Sequence, residues 1–387
     1  MPFNIDTLGS FLGSSIFSLK GGLLVLLLSL ANNLPKPLSL ESLRSDLLLP
    51  ALKSTPNSVK ALVIFALVKA VHDWLNFVAL NRGTKRDPAR FEKDGGKDLV
   101  LVTGGCTGIG ADFVERISKH TRRIVVLDLA EVRNPQPGVK YYKCDVTKPE
   151  MVHEVAERIR SEVGEPTIIV NNAGVAVGSS ILESTIDQYE FALRVNTIGN
   201  VVILKEFLPH IVKINHGHII TVASMAGFVS IPGLSQYSCS KAATLALHET
   251  LRIELVATYN ASNVRTTLIA PGKVQTEMGA NLADSDNQFV NPTLQPADVT
   301  KVMVRNILRG ESEYALLPRF TGAQVPLVRC CEWFRRLLEK AGKLDATLNH
   351  NNLNPAQVAA RQKYIENLKS NFPEYVARIE QVGNVKK

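Results

Sequence analysis

Residues 98–110, Asp98 to Gly110, read D-L-V-L-V-T-G-G-C-T-G-I-G, and the fold follows from this stretch. Residues 99–102 form a short apolar run rich in β-formers, a glycine turn follows, and an amphipathic helix is expected over 109–119. Strand, glycine turn and helix in that order make a phosphate-binding unit. Residues without a Cβ let backbone approach a pyrophosphate, and the helix N-terminus offers unpaired N–H groups to the anion. The glycines are Gly104, Gly108 and Gly110, spaced T-G-x-x-x-G-x-G, with Thr103 and Ile109 beside them. A glycine cluster alone is usually a turn. Here the strand before it and the helix after it point to a nucleotide site.

The same alternation continues downstream. Residues 123–128 (R-I-V-V-L-D) read as a buried parallel strand ending in Asp128, roughly 20 residues beyond the last glycine, where such folds place the carboxylate that takes the ribose hydroxyls. That carboxylate repels a 2′-phosphate, and Gly105, Cys106 and Thr107 supply no cation to reward one. NAD is therefore expected rather than NADP, with Arg133 near enough in sequence to keep NADP open. Further strands are expected at 141–146, ending in Asp145 and Val146, at 167–170, at 218–223, at 264–269 and at 313–317. Thr147-Lys148-Pro149-Glu150 and Thr185-Ile186-Asp187-Gln188 read as capping boxes. They open a helix running to about 163 and a long helix carrying Asn196. Helices are also expected over 237–258 and 297–308. Strands alternating with helices predict an α/β, Rossmann-type, doubly wound parallel sheet.

Composition narrows the setting. The 387-residue chain carries a net charge of +8, and 45% of it is hydrophobic. No zinc-finger, RNP or basic-region pattern accompanies the positive charge, so an anionic membrane surface is the better partner than nucleic acid. Five cysteines without framework spacing suit a reducing compartment. His216 and His218, ahead of a strand, read as solvated loop residues, and no metal is expected.

The apolar residues concentrate near the N-terminus. Residues 11–31 (F-L-G-S-S-I-F-S-L-K-G-G-L-L-V-L-L-L-S-L-A) nearly reach the roughly 20 apolar residues of a bilayer span. Lys20 and Gly21-Gly22 are equally compatible with an interfacial or hairpin segment. No basic n-region precedes it, which argues against a signal peptide. Residues 59–80 hold apolar positions at helical spacing together with Lys69, His72 and Asp73, and charge centred in hydrocarbon is costly. This segment is expected to lie at the interface or form the second arm of a shallow hairpin; the alternative is an amphipathic helix packed on the catalytic domain. Arg82, Lys85, Arg86 and Arg90 then favour the cytoplasmic side. At the other end, residues 324–341 interleave Trp333, Phe334 and Leu337 with Arg329, Arg335 and Arg336. They read as one basic amphipathic helix, either on a membrane surface or over the substrate pocket. Residues 355–387 read as a further helix and basic tail.

Taken together, T-G-G-C-T-G-I-G, Asp145-Val146, Asn171-Asn172-Ala173-Gly174, Asn196, Ser224, Tyr237-x-x-x-Lys241 and Pro271-Gly272-Lys273-Val274-Gln275-Thr276 resemble the short-chain dehydrogenase/reductase family. The motifs run in family order over about 98–320. The hydrophobic extension and Asp128 are similar to the membrane-associated retinol and hydroxysteroid dehydrogenases, some of them lipid-droplet proteins. The resemblance implies a nicotinamide cofactor held by Thr103, Gly104, Gly108, Ile109, Gly110, Asp128, Asp145, Val146, Asn172, Ala173, Gly174, Tyr237, Lys241, Gly272, Val274 and Thr276. It also implies a catalytic set of Asn196, Ser224, Tyr237 and Lys241.

The chemistry of that set is consistent. Hydride transfer at a carbonyl carbon needs proton movement at its oxygen, and Tyr237 and Lys241 share one helix face. Bringing a phenol from pKa about 10 to about 7 corresponds to roughly 4 kcal/mol, which a nearby ammonium would supply. Tyr237 is then the acid/base, Lys241 lowers its pKa and, by resemblance, holds the nicotinamide ribose. Ser224 bonds the substrate oxygen, and Asn196, by resemblance, orders a water linking Lys241 to solvent. Residues 278–292 would be a substrate lid.

The expected organisation is a hydrophobic membrane-associating extension and linker over 1–95, a Rossmann domain over 96–320 and a helical C-terminal extension over 321–387. The expected activity is hydride transfer between a nicotinamide cofactor and a lipophilic alcohol or ketone. Two alternatives stand beside it: a non-catalytic NAD-binding scaffold on a lipid surface, and an NADPH-dependent lipid ketone reductase. Expected partners are a lipophilic small molecule, the endoplasmic reticulum or lipid-droplet surface with the catalytic domain facing the cytosol, and a second copy in a homodimer.

Overall fold

The computed structural model describes residues 24–26, 53–83, 89, 91, 96–132, 134–176, 178–281, 284, 288, 291–341 and 355–377. Most of the apolar segment 11–31, as well as Arg133, lies outside them. The chain forms two compact units, 1–83 and 84–387.

In the first unit, helix α1 (Asn57–Asn81) is closed by Arg82 in the left-handed conformation, with its N–H on Val78 O. At 25 residues it is about 37 Å long at 1.5 Å per residue. Among the described residues it is the one helix long and apolar enough to cross a membrane. Its large side chains face outward all round: Ile64 is 60% exposed, Val68 61% and Trp74 62%. Lys69 and Asp73, one turn apart, pair with each other, so two of its charges offset one another.

The second unit is built on seven parallel strands: β1 (Val100–Thr103), β2 (Ile124–Asp128), β3 (Val139–Lys143), β4 (Ile168–Asn171), β5 (His218–Val222), β6 (Arg265–Pro271) and β7 (Glu313–Leu317). Their order is β3-β2-β1-β4-β5-β6-β7. Strand alternation sorts the core into two layers. Leu101, Val125, Ile169 and Ile219 pack against α3 (Pro149–Glu162), α5 (Gly199–Ile214) and α6 (Ser235–Ala257). Val100, Val102, Val126 and Val170 pack against α2 (Gly108–Ile117) and α7 (Pro296–Arg309). Phe113 of α2 is fully buried there, and truncating such a side chain to alanine costs about 3–5 kcal/mol. The strand order reverses at β1, between β2 and β4. The crevice at the carboxyl ends of β1 and β4 is where such sheets hold ligands.

Several local expectations change. Strand β3 ends at Lys143, so Asp145 and Val146 lie beyond it in a turn. There Asp145 Oδ1 accepts from both Thr147 N and Thr147 Oγ1, at 2.9 and 2.7 Å. With its hydroxyl so engaged, Thr147 makes no capping box; Lys148 is the N-cap and Pro149 opens the helix. The Thr185–Gln188 box does form, at the start of α4 (Ile186–Leu193). The long helix that follows is interrupted by a π-turn, Arg194–Ile198, before α5.

His216 and His218 are buried rather than solvated. His216 Nε2 meets Asp98 Oδ1 at 2.8 Å, and Thr167 Oγ1 donates to the same oxygen at 2.8 Å. His218 Nε2 meets Thr267 Oγ1 at 2.8 Å, and burial with the nearby Arg265 holds its pKa down to about 3.

At the C-terminus, the single helix expected over 324–341 is two. Cys331 is extended (φ −122°, ψ 98°), separating α9 (Val325–Cys330) from α10 (Glu332–Ala341), after the short α8 (Arg319–Ala323). Helix α11 (Pro355–Asn371) follows.

Candidate active site

The glycine turn is shaped by close backbone approach. Gly104 and Gly108 have φ of +65° and +55°, conformations that side chains with a Cβ rarely take. A Cβ on Gly110 would lie 2.0 Å from Gly104 O. No substitution fits there without opening the turn. Thr103 and Asn172 clamp the turn to the end of β4. Thr103 Oγ1 accepts from Asn172 N and Ala173 N, both at 3.1 Å. Asn172 Nδ2 donates to Thr103 O at 3.1 Å and to Gly104 O at 2.8 Å.

No side chain caps α2 at Thr107. A cleft of about 590 Å³ runs from Gly105, Cys106, Thr107 and Gly108 across to Lys273 and Thr276. Thr276 approaches Gly108 so closely that a Cβ there would sit 3.2 Å from Thr276 Cγ2. The loop after β6 is fixed by Gly272 N on Leu317 O at 2.6 Å and by a bridge between Val274 and Leu294.

Asp128 ends β2 beside this turn. Its Oδ2 accepts from Cys106 N at 2.8 Å and its Oδ1 from Ala130 N at 3.0 Å. Burial, and then the Asp128 charge, push the Cys106 thiol up to about 12. A cradle whose glycines leave no room for side chains, an uncapped helix start and an open cleft between them fit a dinucleotide.

Around Gly174 two of the other four residues, Asn196 and Lys241, converge, with Tyr237 beside Lys241 and Ser224 near Tyr237. Asn196 sits in the π-turn, where helices often depart from regularity at functional sites. Its Oδ1 accepts from Val175 N at 2.7 Å, and its Nδ2 donates to Val175 O at 2.9 Å and Ser240 Oγ at 2.8 Å. A Cβ on Gly174 would lie 3.1 Å from Asn196 Oδ1 and 3.5 Å from Lys241 Nζ. Both groups thus face one point that glycine keeps open. Lys241 is 3% exposed and donates to Val222 O at 3.0 Å. Its Nζ is 5.7 Å from the centre of the Tyr237 ring.

Ser224, following β5, accepts from Ala226 N at 3.1 Å and donates to Pro271 O at 3.4 Å. Its hydroxyl also lies near enough to the Tyr237 phenol to favour the phenolate. Burial pushes Tyr237 above the usual phenol value, and the opposing influence is the Ser224 hydrogen bond. Burial also brings Lys241 down to about 8.

Three supports escaped the sequence reading. Ser240 holds Asn196, Thr244 Oγ1 donates to Asn196 O at 2.9 Å, and Tyr364 of α11 accepts from Ala176 N at 2.8 Å. Ser240 lies between Tyr237 and Lys241, a position with its own signal; Tyr364 had none.

Residues 98–287 match the short chain dehydrogenase family. Over 217 residues the chain is 36% identical to Dehydrogenase RED2 of Cochliobolus heterostrophus, covering 55% of this chain and 80% of that one. It is 32% identical over 265 residues to human (Homo sapiens) estradiol 17-beta-dehydrogenase 11, covering 65% and 86%. Retinol dehydrogenase 10 of Rattus norvegicus is 40% identical over 253 residues, covering 56% and 74%. With strand order, glycine cradle and relatives in agreement, the chain belongs to the short-chain dehydrogenase/reductase family, nicotinamide-dependent oxidoreductases acting on CH–OH groups.

Proposed function

We propose that the protein is a membrane-associated oxidoreductase that moves a hydride between NAD and a lipophilic alcohol or ketone of the retinoid, steroid or long-chain type. The observation that carries this reading is the placing of Asn196 and Lys241 at Gly174 with Tyr237 beside Lys241 and Ser224 near Tyr237, in a chain that also carries the exposed apolar helix α1. Estradiol 17-beta-dehydrogenase 11 and retinol dehydrogenase 10, by their names, act on lipophilic ring and polyene alcohols.

The residues divide the work. Thr103, Gly104, Gly108, Ile109, Gly110 and Asn172–Gly174 cradle the dinucleotide, Asp128 takes the ribose, Asp145 and Val146 border the base, and Gly272, Val274 and Thr276 meet the nicotinamide amide. When bound, the nicotinamide accepts or gives the hydride. Tyr237 moves the proton at the substrate oxygen, accepting it as an alcohol is oxidised and donating it as a ketone is reduced. Ser224 bonds that oxygen while charge shifts on it. Lys241, with a pKa of about 8, is largely cationic at neutral pH and favours the phenolate when one forms. Asn196 holds the Val175 backbone and, through a water, links Lys241 to solvent.

Helix α1 and the basic residues after it attach the chain to the endoplasmic reticulum or a lipid droplet with the catalytic unit in the cytosol. The test is purified full-length protein with NAD or NADP and a panel of lipophilic secondary and primary alcohols, read by nicotinamide absorbance, beside Tyr237→Phe. NAD-dependent turnover lost in the variant is the expected result. Wild-type protein that binds NADH without turning over any alcohol or ketone would instead leave a scaffold. Preference for NADPH would make it a ketone reductase. Full-length protein that stays soluble on fractionation overturns the membrane assignment.

A further inference from the structure

Helix α11 is tied to the walls on both sides of the reacting centre. On one side, Glu277, next to Thr276 in the nicotinamide loop, takes Lys363 Nζ at 2.8 Å and Asn367 Nδ2 at 2.9 Å. On the other, Leu368, Phe372 and Tyr375 pack on Val175, Phe191 and Val195. Phe191 meets Phe372 edge-on at 4.9 Å and Tyr375 at 4.8 Å between ring centres. Aromatic contacts of this kind contribute roughly 0.5–1.5 kcal/mol each beyond their buried area, so the segment is held on a packed surface as well as by charges.

Between the two anchors α11 turns Tyr364 inward. The side chain is 8% exposed, and its hydroxyl accepts from Ala176 N at 2.8 Å. Ala176 directly follows Val175, whose backbone both accepts from and donates to Asn196. Burial pushes the phenol above its usual pKa, the bond from Ala176 opposes this, and the nearby Tyr237 adds to the rise. Tyr364 is thus a neutral ring beside the backbone that Asn196 holds.

Resting on the reading of the site as an oxidoreductase for lipophilic alcohols, we propose that Tyr364 forms the wall of the substrate pocket on the Ala176 side and determines specificity. It admits a slender arm on the reacting carbon and excludes a bulky or branched one. The chemistry supports a steric role. A buried aromatic ring fixed at its hydroxyl cannot turn aside without losing the Ala176 bond, and apolar pockets discriminate by shape at about 10–200-fold per misfit group.

The experiment compares Tyr364→Ala, Tyr364→Trp and Tyr364→Phe with wild type in the full-length protein. One arm reads kcat/KM for straight-chain and branched secondary alcohols. A second reads Kd for two fluorescent lipid ketones, one slender and one branched, with NADH present. Tyr364→Ala should shift the branched-to-straight ratio upward by about tenfold or more, and Tyr364→Trp should shift it downward. Tyr364→Phe, which keeps the ring but loses the Ala176 bond, should shift it upward by less than Tyr364→Ala. A merely structural role would lower both substrates together, so unchanged ratios in folded Ala and Trp variants overturn the proposal. If wild type turns over no alcohol but the Kd ratios shift in opposite directions, the functional reading fails while the pocket wall stands.

Discussion

Two clusters of buried polar groups lie at opposite ends of the sheet. At the amino ends of the strands, Asp98 gathers Thr167 and His216, and Arg123 donates to Gly96 O at 2.8 Å and Val163 O at 3.0 Å. A hollow of about 690 Å³ is lined by several of them. At the carboxyl ends, Asn196 and Lys241 face Gly174, with Tyr237 beside Lys241 and Ser224 following β5. Both regions are polar and largely buried. They differ in what their groups are held ready to do. At the amino end donors and acceptors close on one another and order the strand starts. At the carboxyl end, burial moves the Tyr237 phenol up and the Lys241 ammonium down. Polar burial beside a hollow is therefore insufficient to mark a site, and so is a perturbed pKa, since burial brings His218 at the amino end of β5 to about 3; groups turned on one open point, as Asn196 and Lys241 are at Gly174, are the better sign.

The contrast predicts opposite consequences for single substitutions. Tyr237→Phe should lower kcat by about 10²–10⁴-fold, since it removes the acid/base and little else. Its urea midpoint should stay near wild type, because the ring and its packing are kept. Retained turnover would mean that proton transfer runs through another group. His216→Ala should do the reverse, costing about 1–3 kcal/mol of stability by taking one partner from a buried carboxylate. Its kcat/KM should be unchanged at temperatures where it is folded. A loss of catalysis without a loss of stability would erase the distinction between the two ends.

How much of this was legible follows from where each signal is written. The strand-turn-helix unit, the Thr185–Gln188 cap and the order of the motifs are local in sequence, and the structure keeps them. The sheet order follows from alternation and chain reversal at β1. What was lost depended on distant partners. His216 and His218 read as loop residues because Asp98 and Thr267, which bury and satisfy them, lie far off in the chain. Thr147 is the exception, since the carboxylate that claims its hydroxyl, Asp145, is only two residues away. Helix spacing gives Tyr237 and Lys241 a shared face, but not the carbonyl of Val222 that the ammonium also binds.

The buried histidines sharpen the comparison in solution. Burial brings His218 to about 3 and His248 to about 4, with Arg265 and Arg252 respectively contributing. Unfolded histidine titrates near 6.5, so below that pH the unfolded chain binds protons that the native one refuses. Stability should then fall on acidification, by up to about 1.4 kcal/mol per pH unit for each histidine between about pH 6.5 and 5. Urea midpoints across that range check it, and His248→Gln should flatten the slope. A pH-independent midpoint would mean that these rings are charged in the native protein.

The smallest expected effect concerns the rim of the cleft. Asp128 does two things with one carboxylate: it accepts from Cys106 and Ala130, fixing the turn, and it places a negative charge beside that turn. Asp128→Asn separates them, since the amide keeps one acceptor oxygen while the charge is gone. The loss of repulsion toward a 2′-phosphate should raise the NADP-to-NAD ratio of kcat/KM by about three- to tenfold, or roughly 0.7–1.4 kcal/mol. The turn supplies an internal reporter. Burial holds the Cys106 thiol up at about 12 with help from Asp128, so the variant thiol should titrate lower and alkylate faster at mildly alkaline pH. A thiol that becomes more reactive while cofactor preference stays fixed would show that the Asp128 field reaches Cys106 but does not select the ribose. A wild-type enzyme already preferring NADP would overturn the assignment of NAD.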